Sequence, residues 1–143
     1  MKSILGKAVV SAVGLVGLCG CAQYNVAGQF EDTGTAFYGS VTVLGSGSGT
    51  ISVASMDGAI SCTGSSSLTE RPTFRDTSGA KGVATAQCSD GTSFKVDFIQ
   101  TTSSGGYGQG ISSTGSVVKL YFDTSKAVAK GKLDHARLDQ LVK

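Results

Sequence analysis

The stretch ATAQCSDGTSFKVDF, residues 84–98, decides the fold class of this chain. Ala84, Ala86 and Cys88 fall on one face of an extended segment, and Phe94, Val96 and Phe98 fall on one face of the next, with Lys95 and Asp97 opposite. A period of two with an Asp-Gly turn between the runs predicts a β-hairpin. Since Asp-Gly suits residues with positive φ, we expect a type I′ turn at Asp90-Gly91.

A second Asp-Gly dipeptide predicts a second hairpin. Asp57-Gly58 follows the alternating residues Ile51 and Val53 and precedes Ile60 and Cys62. Further strands are expected over Phe37–Leu44 and Val117–Phe122, with a weaker one through Gly108–Ser113. The sequence therefore predicts an all-β domain, a small antiparallel meander forming a barrel or a sandwich of six to seven short strands.

Composition limits the size and partners of the protein. The chain has 143 residues, of which 15% are charged, and includes 21 Gly, one Pro and no Trp, with a net charge of +2. This length suits one small domain. Loss of Lys2 and Lys7 with a signal segment would leave a neutral body, which argues against nucleic acid as a partner because phosphate binding needs clustered cations. Disorder is the alternative for so Gly-rich a chain.

The N-terminus has the pattern of an export signal. The basic start Met1–Lys7 precedes an apolar run over Ala8–Leu18 that is shorter than the ~20 residues of a spanning helix. Leu18-Cys19-Gly20-Cys21 resembles the lipobox of bacterial lipoproteins. That resemblance implies cleavage after residue 20, acylation of Cys21 as the only covalent cofactor, and membrane lipid as a partner. Acylation of Cys19 fits less well, because Leu18 would then precede the cleavage site, where the family has a small residue. A second alternative is an ordinary signal peptide cut near Ala22, which would leave a soluble periplasmic protein.

The resemblance also implies an address. Ala22, rather than Asp, follows the lipidated Cys, which in Gram-negative sorting implies the outer membrane. We therefore expect a signal peptide over 1–20, a lipidated linker over 21–36, a β-domain over 37–123 and a C-terminal helix over 124–143.

Export makes a disulfide the expected state of the two remaining cysteines. Cys62 and Cys88 would persist as a bridge in an oxidising compartment. A metal pair or a redox pair is the alternative, but a C-x-x-C spacing is missing. Because each predicted hairpin carries one of these cysteines, the bridge would join the hairpins.

The C-terminal segment changes composition after Asp123 and predicts a helix. Asp123 or Ser125 can cap it. An irregular apolar stripe is formed by Val128, Leu133, Leu138, Leu141 and Val142. Gly131 weakens the middle, so a break is expected there. The helix either packs on the β-domain or docks on a partner or a membrane.

Residues that could carry catalysis are few, and we expect neither an enzyme nor a metal site. The single histidine, His135, pairs with Asp139 at helical spacing, which we interpret as a weak surface pair. A hydrolase that used His135 with a serine would need a nucleophile elbow, and the sequence has no G-x-S-x-G. The Gly-rich segments 45–49 and 105–110 lack the P-loop lysine and are expected to be turns or flexible links.

Binding residues are expected in two places. One is the segment between the hairpins that concentrates Glu70, Arg71, Phe74 and Arg75, because loops on a rigid scaffold often carry binding. The other is Tyr107, an aromatic residue among glycines without an obvious core partner. The expected function is that of an outer-membrane lipoprotein serving as a non-catalytic binding or envelope-assembly accessory, with an envelope protein as its partner.

The alternative function is inhibition of a wall-degrading enzyme. Small disulfide-bonded β-barrel lipoproteins that inhibit C-type lysozyme carry a Ser-Gly-x-x-Tyr loop, which Ser104-Gly105-Gly106-Tyr107 resembles but is one residue short of. The body also resembles small Gly/Ser-rich lipoproteins with a Cys-Ser-Asp-Gly hairpin, here Cys88–Gly91, and that resemblance implies no activity.

Overall fold

The chain forms a closed antiparallel β-barrel with one helix on its outside. A computed structural model describes residues 22–44, 46–71 and 79–143. Each strand pairs with the next, and β1 also pairs with β8 to close the barrel. The elements are β1 (Ala22–Phe30), β2 (Ala36–Val43), β3 (Ser48–Ser55), β4 (Ser61–Glu70), β5 (Lys81–Cys88), β6 (Ser93–Gln100), β7 (Gly105–Ser112), β8 (Val117–Asp123) and α1 (Lys126–Leu141).

The core lies inside the barrel and follows the alternation seen in the sequence. On β5 and β6 the inward residues Ala84, Ala86, Phe94 and Val96 are buried, whereas the intervening Lys95 is exposed. Closure removes the unpaired strand edges that would otherwise invite association. The prediction of an all-β antiparallel domain is confirmed, and the barrel replaces the barrel-or-sandwich alternative.

The strand count was too low by one, and the missed strand is β1. It lies in the segment 21–36, which we expected to be a linker. Its inward residues Tyr24 and Val26 are buried, but so are Ala27 and Gln29 on the outward face, because α1 covers them. A strand buried on both faces has no alternation to reveal it.

The two Asp-Gly turns are hairpins, but their expected type was wrong. Gly58 and Gly91 have φ of 72° and 86°, while no non-glycine residue among those described has positive φ. A type I′ turn requires positive φ at both central residues, so Asp57 and Asp90 exclude it. In each turn the Gly N–H donates to the carbonyl oxygen three residues earlier, at Ser55 or Cys88. The glycine is the residue of the turn that takes the left-handed conformation.

The Gly-rich segment 105–110 is also a correction, because it belongs to strand β7. An added Cβ at Gly106 would lie 2.0 Å from the Ile99 carbonyl oxygen and 2.8 Å from Phe122 Cζ. Glycine here permits a close approach of strands in a tightly curved barrel. The segment is not a flexible link.

The two ends of the barrel differ. At one end, here called the closed end, short turns join the strands, and the rings of Phe30, Phe37 and Phe94 fill the interior with centroids 5.4–6.1 Å apart. The opposite end, here called the open end, holds the start of β1, the longer connection from β4 to β5 and the start of α1. The aromatic rings therefore block the barrel from one side only.

The helix packs on the outside of the barrel, as one of the two alternatives predicted. Ser125 caps it, accepting from the Val128 N–H, and α1 runs unbroken through Gly131, so the expected break is wrong. Ala129 and Leu133 are buried against Ala27 and Tyr121. Of the predicted apolar stripe only Leu133 is buried, whereas the remaining members are exposed: Val128, Leu138, Leu141 and Val142.

Candidate ligand-binding cavity

An apolar cavity of about 190 Å³ occupies the barrel interior toward its open end. Inward residues of seven strands line it, and the rim includes Ala22, Leu44, Leu68 and Ala80. The other lining residues are Tyr24, Val26, Val41, Val43, Ile51, Ala84, Phe98, Gln100, Leu120 and Phe122. A cavity of ~150 Å³ lined by apolar side chains can hold a benzene molecule, so this space suffices for a small apolar group.

The cavity exists because small and large residues are unevenly distributed along the barrel. The closed end receives three phenylalanine rings, whereas at the open end Ala22, Ala80 and Ala84 take inward positions. In the wall of the cavity, the Phe122 ring meets Tyr24 and Phe98 edge-on, with centroids 5.5 and 5.8 Å apart. An eight-stranded barrel is just wide enough to be filled by side chains or to hold one small ligand, and here alanines leave space.

The polar groups in the lining are two neutral side chains. Gln100 Nε2 donates to the Tyr24 hydroxyl at 3.3 Å and to the Ser103 carbonyl oxygen at 3.3 Å. No charged side chain lines the cavity among the described residues. An apolar pocket with a few placed polar groups is typical of a small-molecule site, and this one favours a neutral ligand.

A third polar group is buried next to the cavity lining. Ser66 is 4% exposed and lies opposite Ala84, and its hydroxyl has no hydrogen-bond partner among the described residues. Leaving a buried hydroxyl unpaired costs about 1–3 kcal/mol, so retaining it is unfavourable for the fold alone.

Of the predicted binding residues between the hairpins, the structure describes Glu70 and Arg71, which lie at the open end of the barrel but do not line the cavity. The Arg71 guanidinium donates to the Ser46 carbonyl oxygen, over the β2–β3 turn and beside Leu68. Glu70 Oε2 lies 3.7 Å from Lys81 Nζ in an exposed pair. Phe74 and Arg75 lie outside the described residues.

Tyr107 lies away from the cavity, on the outer face of β7, and is 52% exposed. The residues Gly105–Tyr107 of the lysozyme-inhibitor resemblance are part of this strand rather than of a protruding loop. The geometry therefore supplies no inserting loop at this place.

His135 and Asp139 form the expected surface pair. His135 Nε2 lies 3.7 Å from Asp139 Oδ2, and their side chains are 80% and 64% exposed. Among the described residues no group of three or more His, Cys, Asp or Glu side chains could hold a metal ion.

The disulfide is present as predicted. Cys62 and Cys88 face each other on neighbouring strands β4 and β5, with Cα atoms 3.9 Å apart, and their bridge joins the two hairpins at the closed end. It therefore lies at the opposite end from the mouth of the cavity and contributes to the scaffold.

Two turn carboxylates have lowered pKa values. The Ser55 hydroxyl, at 2.6 Å, and the Ala59 N–H lower the pKa of Asp57. The Thr92 hydroxyl, at 2.6 Å, and its N–H lower the pKa of Asp90. Both carboxylates are exposed and belong to turns at the closed end, so they shape the hairpins rather than the cavity.

Cys21 and the expected signal peptide over 1–20 lie outside the described residues. Among the described helices, none has the length and apolar character needed to cross a membrane.

Comparison with known proteins gives a likeness in fold alone. No family model matches the chain, and no curated protein matches it. Three of the similar solved structures are designed or redesigned barrels. A de novo designed fluorescence-activating β-barrel has a TM-score of 0.53 at 18% identity, covering 73% of this chain and 92% of the other. The redesigned barrel mFAP1, bound to DFHBI, has a TM-score of 0.51 at 11% identity, covering 71% and 92%. A second redesigned barrel has a TM-score of 0.53 at 14% identity, covering 73% of this chain and 90% of the other.

Sequence reasoning missed the cavity and the residues that line it. Tyr24 lay in the expected linker, and Gln100 was one polar residue among many. A signal was present in the alternation of alanine with larger residues at inward positions, but it becomes readable only when the closure of the barrel is known.

Proposed function

We propose that this chain is an outer-membrane-anchored lipoprotein whose barrel is a non-catalytic binding module for a small, neutral, apolar ligand. The observation that carries the proposal is the cavity of about 190 Å³, open at one end and lined without a charged side chain among the described residues. Filling that end with larger side chains would stabilise a barrel that served only as a scaffold, because empty apolar space forfeits packing.

Two further observations support binding. The Ser66 hydroxyl, which has no hydrogen-bond partner among the described residues, and the Tyr24–Gln100 pair give the interior a few polar groups in an apolar surrounding, the usual composition of a ligand site. A designed barrel of similar fold is bound to DFHBI, so the architecture is compatible with small-molecule binding.

The anchor is supported by the lipobox resemblance. Leu18-Cys19-Gly20-Cys21 supplies the acylated cysteine, and Ala22 supplies the outer-membrane address. An envelope protein remains the expected macromolecular partner, and Arg71 at the open end belongs to the surface it would meet. Mass spectrometry of the protein purified from its native membranes tests the anchor. We expect a mature chain that begins at an acylated Cys21, and a chain beginning elsewhere without lipid would overturn this part.

The binding test uses residues 22–143, which contain all eight strands and the helix, and the neutral fluorophore N-phenyl-1-naphthylamine. We expect a saturable rise in fluorescence that corresponds to one site. Ala84→Phe places a ring in the cavity and should weaken binding at least tenfold. Thr85→Phe places the same ring on the outer face of the same strand and should leave binding unchanged.

Circular dichroism of both variants establishes that each retains the barrel. If the unsubstituted barrel showed no saturable binding, or if Ala84→Phe bound the probe as well as Thr85→Phe did, the proposed ligand site would be wrong.

A further inference from the structure

The mouth of the cavity lies beside the residue that the proposed function assigns to the lipid anchor. Ala22 is the first residue of β1, and it lies on the cavity rim. Residue 21 is bonded to it, and consecutive Cα atoms are only about 3.8 Å apart. A lipid attached to Cys21 therefore begins at the opening of the cavity, with no linker between anchor and barrel.

From this placement we propose that one acyl chain of the lipid on Cys21 enters the barrel and is the resting occupant of the cavity. The inference rests on the proposed function, since it requires acylation of Cys21. It names the ligand class of the cavity as a single hydrocarbon chain and its source as the protein itself.

The chemistry of the lining fits a hydrocarbon chain held by a neutral linkage. Apolar side chains form nearly all of the wall, and the polar exceptions are the hydroxyl of Tyr24 and the amide of Gln100. A free fatty acid would bring a carboxylate, which is costly to place where no charged side chain lines the cavity among the described residues. An ester-linked or amide-linked chain brings no charge.

The size of the cavity and the number of chains also favour this source. The volume of about 190 Å³ accommodates part of one chain and not a two-chain phospholipid. Three chains on one cysteine exceed the two that stable anchoring needs, so one can leave the bilayer while the protein stays attached. A chain tethered beside the opening also has a high effective concentration there.

The arrangement has a consequence for external ligands. A second apolar molecule enters the cavity of the anchored protein only by displacing the tethered chain, so its apparent affinity falls in proportion to the fraction of empty barrels. The unlipidated barrel has no such competitor.

Photo-crosslinking of the full-length protein in its host membranes tests the inference. Cells are fed a fatty acid that bears a diazirine, which enters both the lipoprotein and the phospholipids. After irradiation, peptides are identified by mass spectrometry. We expect the Cys21 lipopeptide to be linked to cavity-lining residues such as Ile51 of β3 or Leu120 of β8. Ala84→Phe should reduce these crosslinks at least tenfold relative to Thr85→Phe, which is the matched control.

The other outcomes overturn the inference in distinguishable ways. If the cavity residues carry a phospholipid instead, the occupant comes from the bilayer. If the acylated Cys21 chains link only to phospholipids while residues 22–143 bind N-phenyl-1-naphthylamine, the inference fails and the proposed binding function stands. If residues 22–143 do not bind the fluorophore and Cys21 crosslinks are equal in both variants, both fail together.

Discussion

Reduction of the disulfide between Cys62 and Cys88 should lower the free energy of unfolding by an amount set by the length of chain it closes. The bridge spans a sequence separation of 26 residues. In the chain-entropy model, closing a loop of this length restricts the unfolded state enough to stabilise the fold by about 3.5 kcal/mol. Because small domains have net stabilities of roughly 5–15 kcal/mol, this is a large share.

The assay is urea unfolding of residues 22–143, followed by circular dichroism, with and without a phosphine reductant. We expect reduction to lower the free energy of unfolding by about 3.5 kcal/mol and the melting temperature by roughly 10–14 °C for a domain of this size. The slope of the free energy against urea should rise, because the reduced unfolded chain exposes more surface.

The double variant Cys62→Ala/Cys88→Ala serves as the control. Both sulfur atoms are buried, so the variant should be at least as unstable as the reduced protein and should not respond to reductant. A loss of less than about 1 kcal/mol on reduction would refute the reasoning, since it would mean that the bridge does not restrict the unfolded chain as the model requires.

Four further predictions concern three single positions and one pair of turn carboxylates. Leu133→Ala should lower the free energy of unfolding by about 2–5 kcal/mol, measured in urea, because Leu133 is fully buried between the helix and the barrel. Gly131→Ala should raise it by up to ~1 kcal/mol in the same assay, because an added Cβ meets nothing within 4 Å and alanine favours helix. Ser66→Ala should be neutral or stabilising in thermal melts, because it removes an unpaired buried hydroxyl, and marked destabilisation would show that the hydroxyl has a partner. Because the pKa values of Asp57 and Asp90 are lowered in the folded protein, both carboxylates stabilise the fold above their unfolded pKa of about 3.9. That stability is lost as the pH falls through the folded pKa values. Between pH 6 and pH 2, the free energy of unfolding of Asp57→Asn/Asp90→Asn should therefore fall less than that of the unsubstituted protein.

Strands with one solvated face could be read from the sequence. The hairpin around Asp90-Gly91 alternates because its inward residues face the core and Lys95 and Asp97 face water. The disulfide followed from an even number of body cysteines and an expected oxidising compartment. These features depend on local spacing and residue chemistry, which a linear sequence contains.

Features that depend on two distant segments could not be read in this way. β1 was hidden because α1, which begins about a hundred residues later, covers its outward face at Ala27. Glycines 105 and 106 looked like a link because the approach of β7 to its neighbours is a property of the closed barrel. The exposure of Leu138 and Leu141 followed from where the helix meets the sheet rather than from its own periodicity.

Local patterns in the chain were enough to predict the all-β class, the positions of the two Asp-Gly hairpins, the pairing of Cys62 with Cys88 and the presence of the terminal helix. The strands, turns and helix are encoded in residues that lie close together in the sequence. The disulfide could be predicted because the two cysteines of the body can form only one bridge with each other. The closed barrel, in contrast, is needed to show that β1 pairs with β8, that three phenylalanines fill one end, and that Ala22 lies at the mouth of the cavity. A cavity is empty space bounded by side chains from seven strands, and its volume depends on how those strands curve and close, which no local pattern specifies.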